Sequence, residues 1–209
     1  MKTHRKIAWL LALLVSLVSL SACTAPASAP PTTLTPTQES TPTAQEKQLV
    51  EAAWDCDEEA VTKLLSDNKL NVDAKNEFGT TALMAVSQRG CADLVELLIK
   101  RYGANVNIKN YYGRTALMLA DYSSFDTMKI LVLNGADVNV RNKYGSTTLM
   151  LVAGSYDNYF DVIRLLFNNG ADVNAKDNEG KTAIDYAQES LNPDKTDVIQ
   201  LLQKGAQED

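Results

Sequence analysis

The residues of this chain best suited to chemistry are three cysteines, Cys23, Cys56 and Cys91, and a single histidine, His4. A Ser-His or Cys-His nucleophile pair needs a histidine beside the nucleophile, and a histidine metal site needs one as a ligand. His4 lies in a leader that we expect to be removed, and the chain has no Gly-rich phosphate loop. We therefore expect no enzyme, no metal site, no cofactor and no small-molecule substrate.

The first 22 residues have the pattern of an export signal. Lys2, Arg5 and Lys6 form a basic segment, and residues 7–20 form an apolar run that is too short to span a bilayer comfortably. The run ends in Leu20-Ser21-Ala22-Cys23, which resembles the lipobox of bacterial lipoproteins. The resemblance implies cleavage before Cys23 and a lipid on its thiol, which would anchor the chain to a membrane. Thr24 in place of Asp favours the outer membrane facing the periplasm, with the cell surface as the alternative.

The remaining chain is acidic and starts with a polar tether. Removal of residues 1–22, which hold three basic and no acidic residues, changes the formal net charge from −6 to −9. A protein this acidic is a poor ligand for nucleic acid. After Cys23, the segment up to residue 45 is dominated by Pro, Thr, Ser, Ala and Gln, and it has little to bury. We predict a disordered linker over 23–45 and a folded domain over 46–209.

A short phrase recurs four times in the folded part and predicts a stack of repeats. It first reads Gly79-Thr-Thr-Ala-Leu-Met84 and returns from positions 113, 145 and 180, with spacings of 34, 32 and 35 residues. A second phrase, Gly-Ala-Asn/Asp-Val-Asn, begins at positions 103, 135 and 170. A period of this size is typical of solenoids, because one repeat cannot bury its own apolar face.

Within each unit the recurring residues have mechanical roles. The first glycine is expected to adopt positive φ in a tight hairpin, and the threonine that follows it to cap the first helix. A later glycine is expected to end the second helix in a left-handed cap, at Gly103, Gly135, Gly170 and Gly205. The second helix carries paired aliphatic residues that predict the core, namely Leu97-Leu98, Ile130-Leu131, Leu165-Leu166 and Leu201-Leu202.

These phrases resemble those of ankyrin repeats, whose consensus is Thr-Pro-Leu-His followed later by Gly-Ala-Asp-Val-Asn. The resemblance covers about 46–206 and implies an all-α repeat solenoid of about five stacked helix-turn-helix repeats joined by β-hairpin-like loops. It also implies a protein partner, and we expect a monomer. The usual histidine is replaced, so the polar network that the family builds there is expected to be absent; the residues at that position are Met84, Met118, Met150 and Asp185.

The ankyrin register predicts a contact face, since hairpin tips and the exposed side of the first helix line the concave surface of the family. One row at the tips is aromatic, and a second row just before each tip is basic. Aromatic and arginine side chains are typical of binding hot spots, and a basic row suits an acidic patch on a partner. The aromatic row is Phe78, Tyr112 and Tyr144, and the basic ladder is Lys75, Lys109, Arg141 and Lys176. The alternative is that the aromatic residues only shield the turns. The predicted partner-binding set is Trp54, Phe78, Arg89, Lys109, Tyr111, Tyr112, Arg114, Tyr122, Arg141 and Tyr144.

Cys56 and Cys91 both fall in the turn between the helices of adjacent units. An exported protein with an even pair of cysteines is a candidate for a disulfide. Neighbouring repeats lie close to the upper limit of disulfide reach, where the Cα atoms must approach within about 7 Å. A bond and two free thiols therefore both stay open, and the spacing favours free thiols.

The functional expectation is a membrane-anchored module that binds another protein in the bacterial envelope, as a scaffold or accessory component. One alternative is an inhibitor, such as an immunity protein that neutralises a toxin or enzyme. A second alternative is a structural spacer in the envelope. The sequence does not specify the partner.

Overall fold

The computed structural model describes residues 41–67, 70–157 and 159–208. The predicted export signal, Cys23 with its predicted lipid, and the part of the predicted linker up to residue 40 lie outside the described residues. Within the described ranges no helix is long and apolar enough to cross a membrane.

The described part of the chain is all-helical, without a strand, and its helices form five consecutive pairs. We call these pairs units one to five. This confirms the predicted all-α repeat solenoid. The helices are α1 (Ala44–Trp54), α2 (Glu58–Asp67), α3 (Ala82–Gln88), α4 (Ala92–Lys100), α5 (Ala116–Leu119), α6 (Phe125–Leu133), α7 (Thr148–Ala153), α8 (Phe160–Phe167), α9 (Ala183–Glu189) and α10 (Lys195–Glu208).

The units stack in chain order, because each first helix packs on the first helix of the next unit, from α1 through α9. Among the second helices, α4 packs on α6 and α6 on α8. The core includes the second member of every predicted aliphatic pair, while the first member is half-buried. Each fully buried aliphatic side chain contributes about 1.5–3 kcal/mol. The fully buried members are Leu98, Leu131, Leu166 and Leu202.

Threonine caps start the first helices of units two to five, as predicted. In unit two the hydroxyl of Thr81 accepts a hydrogen bond from the Met84 amide at 3.3 Å. In unit five the cap is reciprocal, since Thr182 accepts from the Asp185 amide and its own amide donates to the Asp185 carboxylate at 2.7 Å. Asp185 thus completes a capping box with a carboxylate oxygen, whereas in unit four the Thr147 amide donates to the Met150 sulfur, a weaker acceptor, at 3.4 Å.

The predicted positive φ is present at every hairpin glycine and at three of the four glycines assigned to helix ends. The hairpin values run from 73° to 85°, and those at positions 103, 135 and 170 are 71°, 87° and 78°. The prediction for Gly205 is wrong, because this residue lies inside α10. A Cβ there would lie 3.0 Å from the ring of Phe167, so its glycine serves close packing between helices.

Each hairpin is closed by an Asn or Asp side chain whose role the sequence analysis did not identify. In unit two the Oδ1 atom of Asn76 accepts from the amides of Phe78 and Thr80, at 2.9 and 3.0 Å. The Asn76 amide in turn donates to the Thr80 carbonyl. Side chains that bond the backbone two residues on stabilise tight turns in this way. The same pattern recurs at Asn110, Asn142 and Asp177.

Successive hairpins are joined by one backbone hydrogen bond at each junction. The amides of Tyr111, Lys143 and Asn178 donate to the carbonyl of the residue that precedes the hairpin glycine in the previous unit, at 3.3, 3.0 and 3.0 Å. These bonds hold the hairpins in register along one edge of the stack. The accepting carbonyls belong to Phe78, Tyr112 and Tyr144.

A second set of inter-unit bonds lies in the segments that follow the second helices. The side chain of Asn107 accepts from the Asp137 amide and donates to the Gly135 carbonyl, both at 2.9 Å. Asn139 makes the equivalent pair of bonds one unit further on. The asparagine that ends the recurring Gly-Ala-Asn/Asp-Val-Asn phrase therefore links neighbouring units.

The junction between units four and five contains a polar network. The hydroxyl of Tyr186 donates to the carboxylate of Asp177 at 2.7 Å and lies 3.0 Å from the hydroxyl of Ser146. Burial of Asp177 opposes its charge, but the hydrogen bonds from Tyr186 and from the amides of Lys181 and Glu179 outweigh this effect and lower its pKa. The charged form of Asp177 is thus held in place by three donors.

Adjacent threonines at the start of α7 are expected to have opposite effects on stability. The buried Oγ1 of Thr148 has no hydrogen-bond partner among the described residues, and the other threonine-capped first helices have alanine here. Thr148→Ala should leave the free energy of unfolding unchanged or raise it by about 1 kcal/mol, because it removes an unpaired hydroxyl at the cost of one methyl group.

Thr147→Ala is the matched control, since it removes the cap of the same helix and should cost about 1 kcal/mol. Urea unfolding followed by circular dichroism measures both changes. Equal destabilisation by the two substitutions would contradict the assignment of Thr148 as an unpaired group.

Candidate protein-interaction face

An aromatic row runs along the hairpin edge of the stack. Phe78, Tyr112 and Tyr144 each precede a hairpin glycine, and their exposed fractions are 56%, 51% and 59%. Their backbone carbonyls accept the bonds that join the hairpins, so the three side chains occupy equivalent positions in successive units. We call these three residues the aromatic row.

Tyr111 lies beside this row and has a local structural role as well. It is 41% exposed, and its ring covers the preceding hairpin. A Cβ on Gly79 would lie 2.9 Å from both the Cδ1 atom and the amide nitrogen of Tyr111. The hairpin glycine of unit two is therefore needed for this close approach as well as for its positive φ.

The predicted basic ladder follows the same edge and braces the backbone. The ammonium group of the exposed Lys109 donates to the Arg141 carbonyl at 3.3 Å. Arg141 is exposed, and its Nε donates to the Gly145 carbonyl at 3.0 Å. Each cation thus uses one donor to bond a backbone carbonyl, Lys109 in the next unit and Arg141 in its own hairpin. The charge of both side chains stays at the surface.

Trp54 and Arg89 pair with each other at the junction of units one and two. The guanidinium of Arg89 lies 5.8 Å from the centroid of the Trp54 ring, and the half-buried Trp54 packs against the core. Such a cation–π contact contributes about 0.5–1 kcal/mol at an exposed site. These two residues therefore contact each other across the junction, and Arg89 remains exposed.

A disulfide joins Cys56 to Cys91 at the same junction. Their Cα atoms lie 6.3 Å apart, inside the limit of disulfide reach, and they are 35 residues apart in sequence. The sequence analysis left both a bond and two free thiols open and favoured the free thiols, whereas the structure has the bond. Cys56 has a φ of 56° in the turn after α1, a left-handed conformation that is uncommon for a residue other than glycine. Unit one is thereby attached covalently to unit two.

Unit three differs from the others because its first helix, α5, has only four residues. The hydroxyl of Tyr122 donates to the Met118 carbonyl at 2.9 Å, and its ring meets the edge of the Tyr159 ring at 5.8 Å. Burial raises the pKa of the Tyr122 phenol, with a smaller opposing effect from the charge of Arg114. Tyr122 thus fills the space beside a shortened helix and is half-buried.

Arg114, in the same unit, is also half-buried, and part of its guanidinium lacks a hydrogen-bond partner. Its Nε atom is buried and has no hydrogen-bond partner among the described residues. A buried donor without an acceptor costs about 1–3 kcal/mol, and more when the group is charged.

Among the described residues, the sequence analysis missed four large apolar residues that are exposed, namely Phe125, Leu133, Tyr156 and Leu191. Tyr156 is 66% and Leu191 86% exposed, in the loops that follow α7 and α9. The two loops are joined by a hydrogen bond from the Ser190 hydroxyl to the Ser155 carbonyl at 2.9 Å. These loops are longer than the repeat consensus, and that extra length was the sequence feature that could have predicted their exposed apolar residues.

The chemistry open to this edge is noncovalent recognition. The edge combines exposed aromatic side chains with positive charge, and both are common in binding hot spots. Within the described ranges, no group of three or more His, Cys, Asp or Glu residues could hold a metal ion.

Two family models match the chain. One, described as ankyrin repeats in three copies, matches residues 49–142, and the other, ankyrin repeats in many copies, matches 123–187. Together they span residues 49–187, and the chain belongs to the ankyrin repeat family. Ankyrin stacks are modules of protein–protein interaction, which implies a protein partner, and neither model describes a catalytic family. A search of the curated proteins found no match to this chain.

Reduction of the disulfide is expected to destabilise the stack. Closing a loop of 35 residues lowers the entropy of the unfolded chain, so reductant should decrease the free energy of unfolding by about 3 to 4 kcal/mol. Chemical unfolding of the purified mature chain with and without reductant measures the difference. The double variant Cys56→Ser with Cys91→Ser should show no response to reductant, and an equal response in both proteins would contradict the bond.

Proposed function

We propose that this chain is a bacterial lipoprotein, anchored through Cys23, whose ankyrin stack binds another protein in the cell envelope as a scaffold or accessory module. The observation that carries the proposal is the aromatic row. Three large side chains stand in equivalent positions, each more than half exposed, on a backbone held in register by hydrogen bonds.

Rigid presentation supports a binding role for this row. Association costs less when the contact residues are already held in the bound arrangement, because little side-chain and loop entropy is then lost. Here each hairpin is closed by an Asn or Asp side chain and joined to its neighbour by a backbone bond. Aromatic residues that protrude from such a frame are the kind of anchor that dominates binding energy.

Two features of the chain support an envelope location. The lipobox-like Leu20-Ser21-Ala22-Cys23 follows a basic and then an apolar segment, as in an exported lipoprotein. A disulfide between Cys56 and Cys91 suits an oxidising compartment outside the cytoplasm. The segment between Cys23 and α1, rich in Pro, Thr and Ser, provides reach from the membrane. We place the protein at the outer membrane facing the periplasm, with the cell surface as the alternative.

The binding proposal is tested by replacing two residues of the aromatic row. Tyr112→Ala with Tyr144→Ala should abolish or weaken at least tenfold the crosslinking of the protein to its partner in intact cells, because the anchors are lost while the fold remains. Tyr156→Ala, at a residue of similar exposure on another surface, is the matched control and should leave crosslinking unchanged. Unchanged crosslinking in the double variant, with an unchanged melting temperature, would refute the proposal.

The anchoring proposal is tested at Cys23. Cys23→Ser removes the only residue that can carry the predicted thioether-linked lipid, so the protein should move from the membrane fraction to the soluble fraction. Mass spectrometry of the amino-terminal peptide from the unaltered protein should show acylated Cys23. An unmodified peptide that begins elsewhere would exclude a lipoprotein.

A further inference from the structure

The hairpin edge of the stack has a charge opposite to that of the rest of the protein. We define this edge as the four segments 75–81, 109–115, 141–147 and 176–182, which carry seven basic and three acidic residues. The remainder of the chain carries 13 basic and 23 acidic residues. A basic edge on an acidic protein creates a local positive potential that attracts negatively charged groups to one surface.

The acidic residues of this edge are already engaged. Glu77 lies 3.8 Å from Lys47 of α1, and Glu179 lies 3.6 Å from Lys181. The carboxylate of Asp177 accepts hydrogen bonds from the Tyr186 hydroxyl and from two backbone amides of its own hairpin.

Most cations of the edge, by contrast, lack a carboxylate partner. Lys181 pairs with Glu179 and Glu189. Across the part of the chain that the structure describes, the other six form no ion pair. Their charges are therefore available to a ligand; they are Lys75, Lys109, Arg114, Arg141, Lys143 and Lys176.

Arg114 is the strongest of these six for recognition of a carboxylate. Its Nε–H is buried without an acceptor among the described residues, so the cost of desolvating part of the guanidinium has already been met. A guanidinium presents a planar set of donors that matches a carboxylate in a bidentate arrangement. A ligand carboxylate at the half-buried Arg114 would pair a guanidinium that forms no ion pair in the described part of the chain.

The geometry of the stack sets the spacing that a ligand must match. Neighbouring helices pack about 8–10 Å apart, and one backbone bond at each hairpin junction keeps equivalent residues at one interval per unit. A peptide in the polyproline II conformation advances about 3.1 Å per residue with three residues per turn, so every third side chain faces the same way. Three residues of an extended ligand therefore cover one unit of the stack.

We propose that the partner contributes an extended acidic segment that lies along the hairpin edge, with a carboxylate at every third residue and one carboxylate on Arg114. This inference rests on the proposed binding function and names the chemistry of its ligand. The segment comes from another protein, because the linker of this chain between Cys23 and α1 contains only one acidic residue, Glu39.

Synthetic peptides test the spacing directly. Labelled peptides of about 12 residues and identical composition carry glutamate at every third position, at every second position, or in one block. Fluorescence anisotropy with the full mature chain should show that the every-third peptide binds about tenfold more tightly than the others, and that added salt weakens it. Arg114→Gln should weaken this peptide about tenfold with an unchanged melting temperature. Arg164→Gln, at an exposed arginine of α8, is the matched control and should leave binding unchanged.

Three results would overturn the inference. Equal affinity for all spacings would show nonspecific attraction, and no binding of any peptide would exclude an acidic segment. Tighter binding of a single-stranded oligonucleotide of equal charge would show that the edge recognises nucleic acid instead. In the first two cases, loss of partner crosslinking in Tyr112→Ala with Tyr144→Ala would still uphold the proposed binding function, so the two ideas fail separately.

Discussion

The hydrogen bond between successive hairpins is the interaction on which the arrangement of the hairpin edge depends. The amides of Tyr111, Lys143 and Asn178 reach the carbonyls of the aromatic residues one unit earlier. Apolar burial holds the units together without preferring a direction, whereas a hydrogen bond requires a particular alignment. Each residue of the aromatic row therefore has two roles. Its carbonyl keeps the hairpins in register, and its side chain stays available at the surface.

The junctions along the stack are held together in different ways. Units one and two share the Cys56–Cys91 disulfide, and units four and five share the network around Asp177. In unit three α5 is a single turn, and Tyr122 occupies the adjoining space. In repeat proteins stability is close to a sum over units and their interfaces, so strong end junctions oppose fraying. The middle of the stack carries Arg114, whose buried Nε has no hydrogen-bond partner among the described residues.

Local roles in the repeat were predictable because they involve residues close together in sequence. The cap of Thr81 on Met84 spans three residues, and the positive φ of a hairpin glycine follows from a turn of similar length. Gly205 was assigned wrongly because glycine serves both helix ends and close packing, and its neighbour here is Phe167, in the previous unit. Trp54 was mapped as a partner contact, yet it pairs with Arg89 across a unit junction that the repeat consensus does not describe.

By itself, the sequence determined the ankyrin family, the five units, and the positions of their turns, caps and core leucines. The tertiary structure alone decided which aromatic residues stay exposed, which cations lack a carboxylate, and whether Cys56 meets Cys91. The physical reason is the range of the contacts. The recurring phrase encodes interactions within about four residues, as in capped helices and tight turns. Exposure and pairing depend instead on residues about one unit apart, such as Cys56 and Cys91, which are separated by 35 residues, and only the packed stack brings these together.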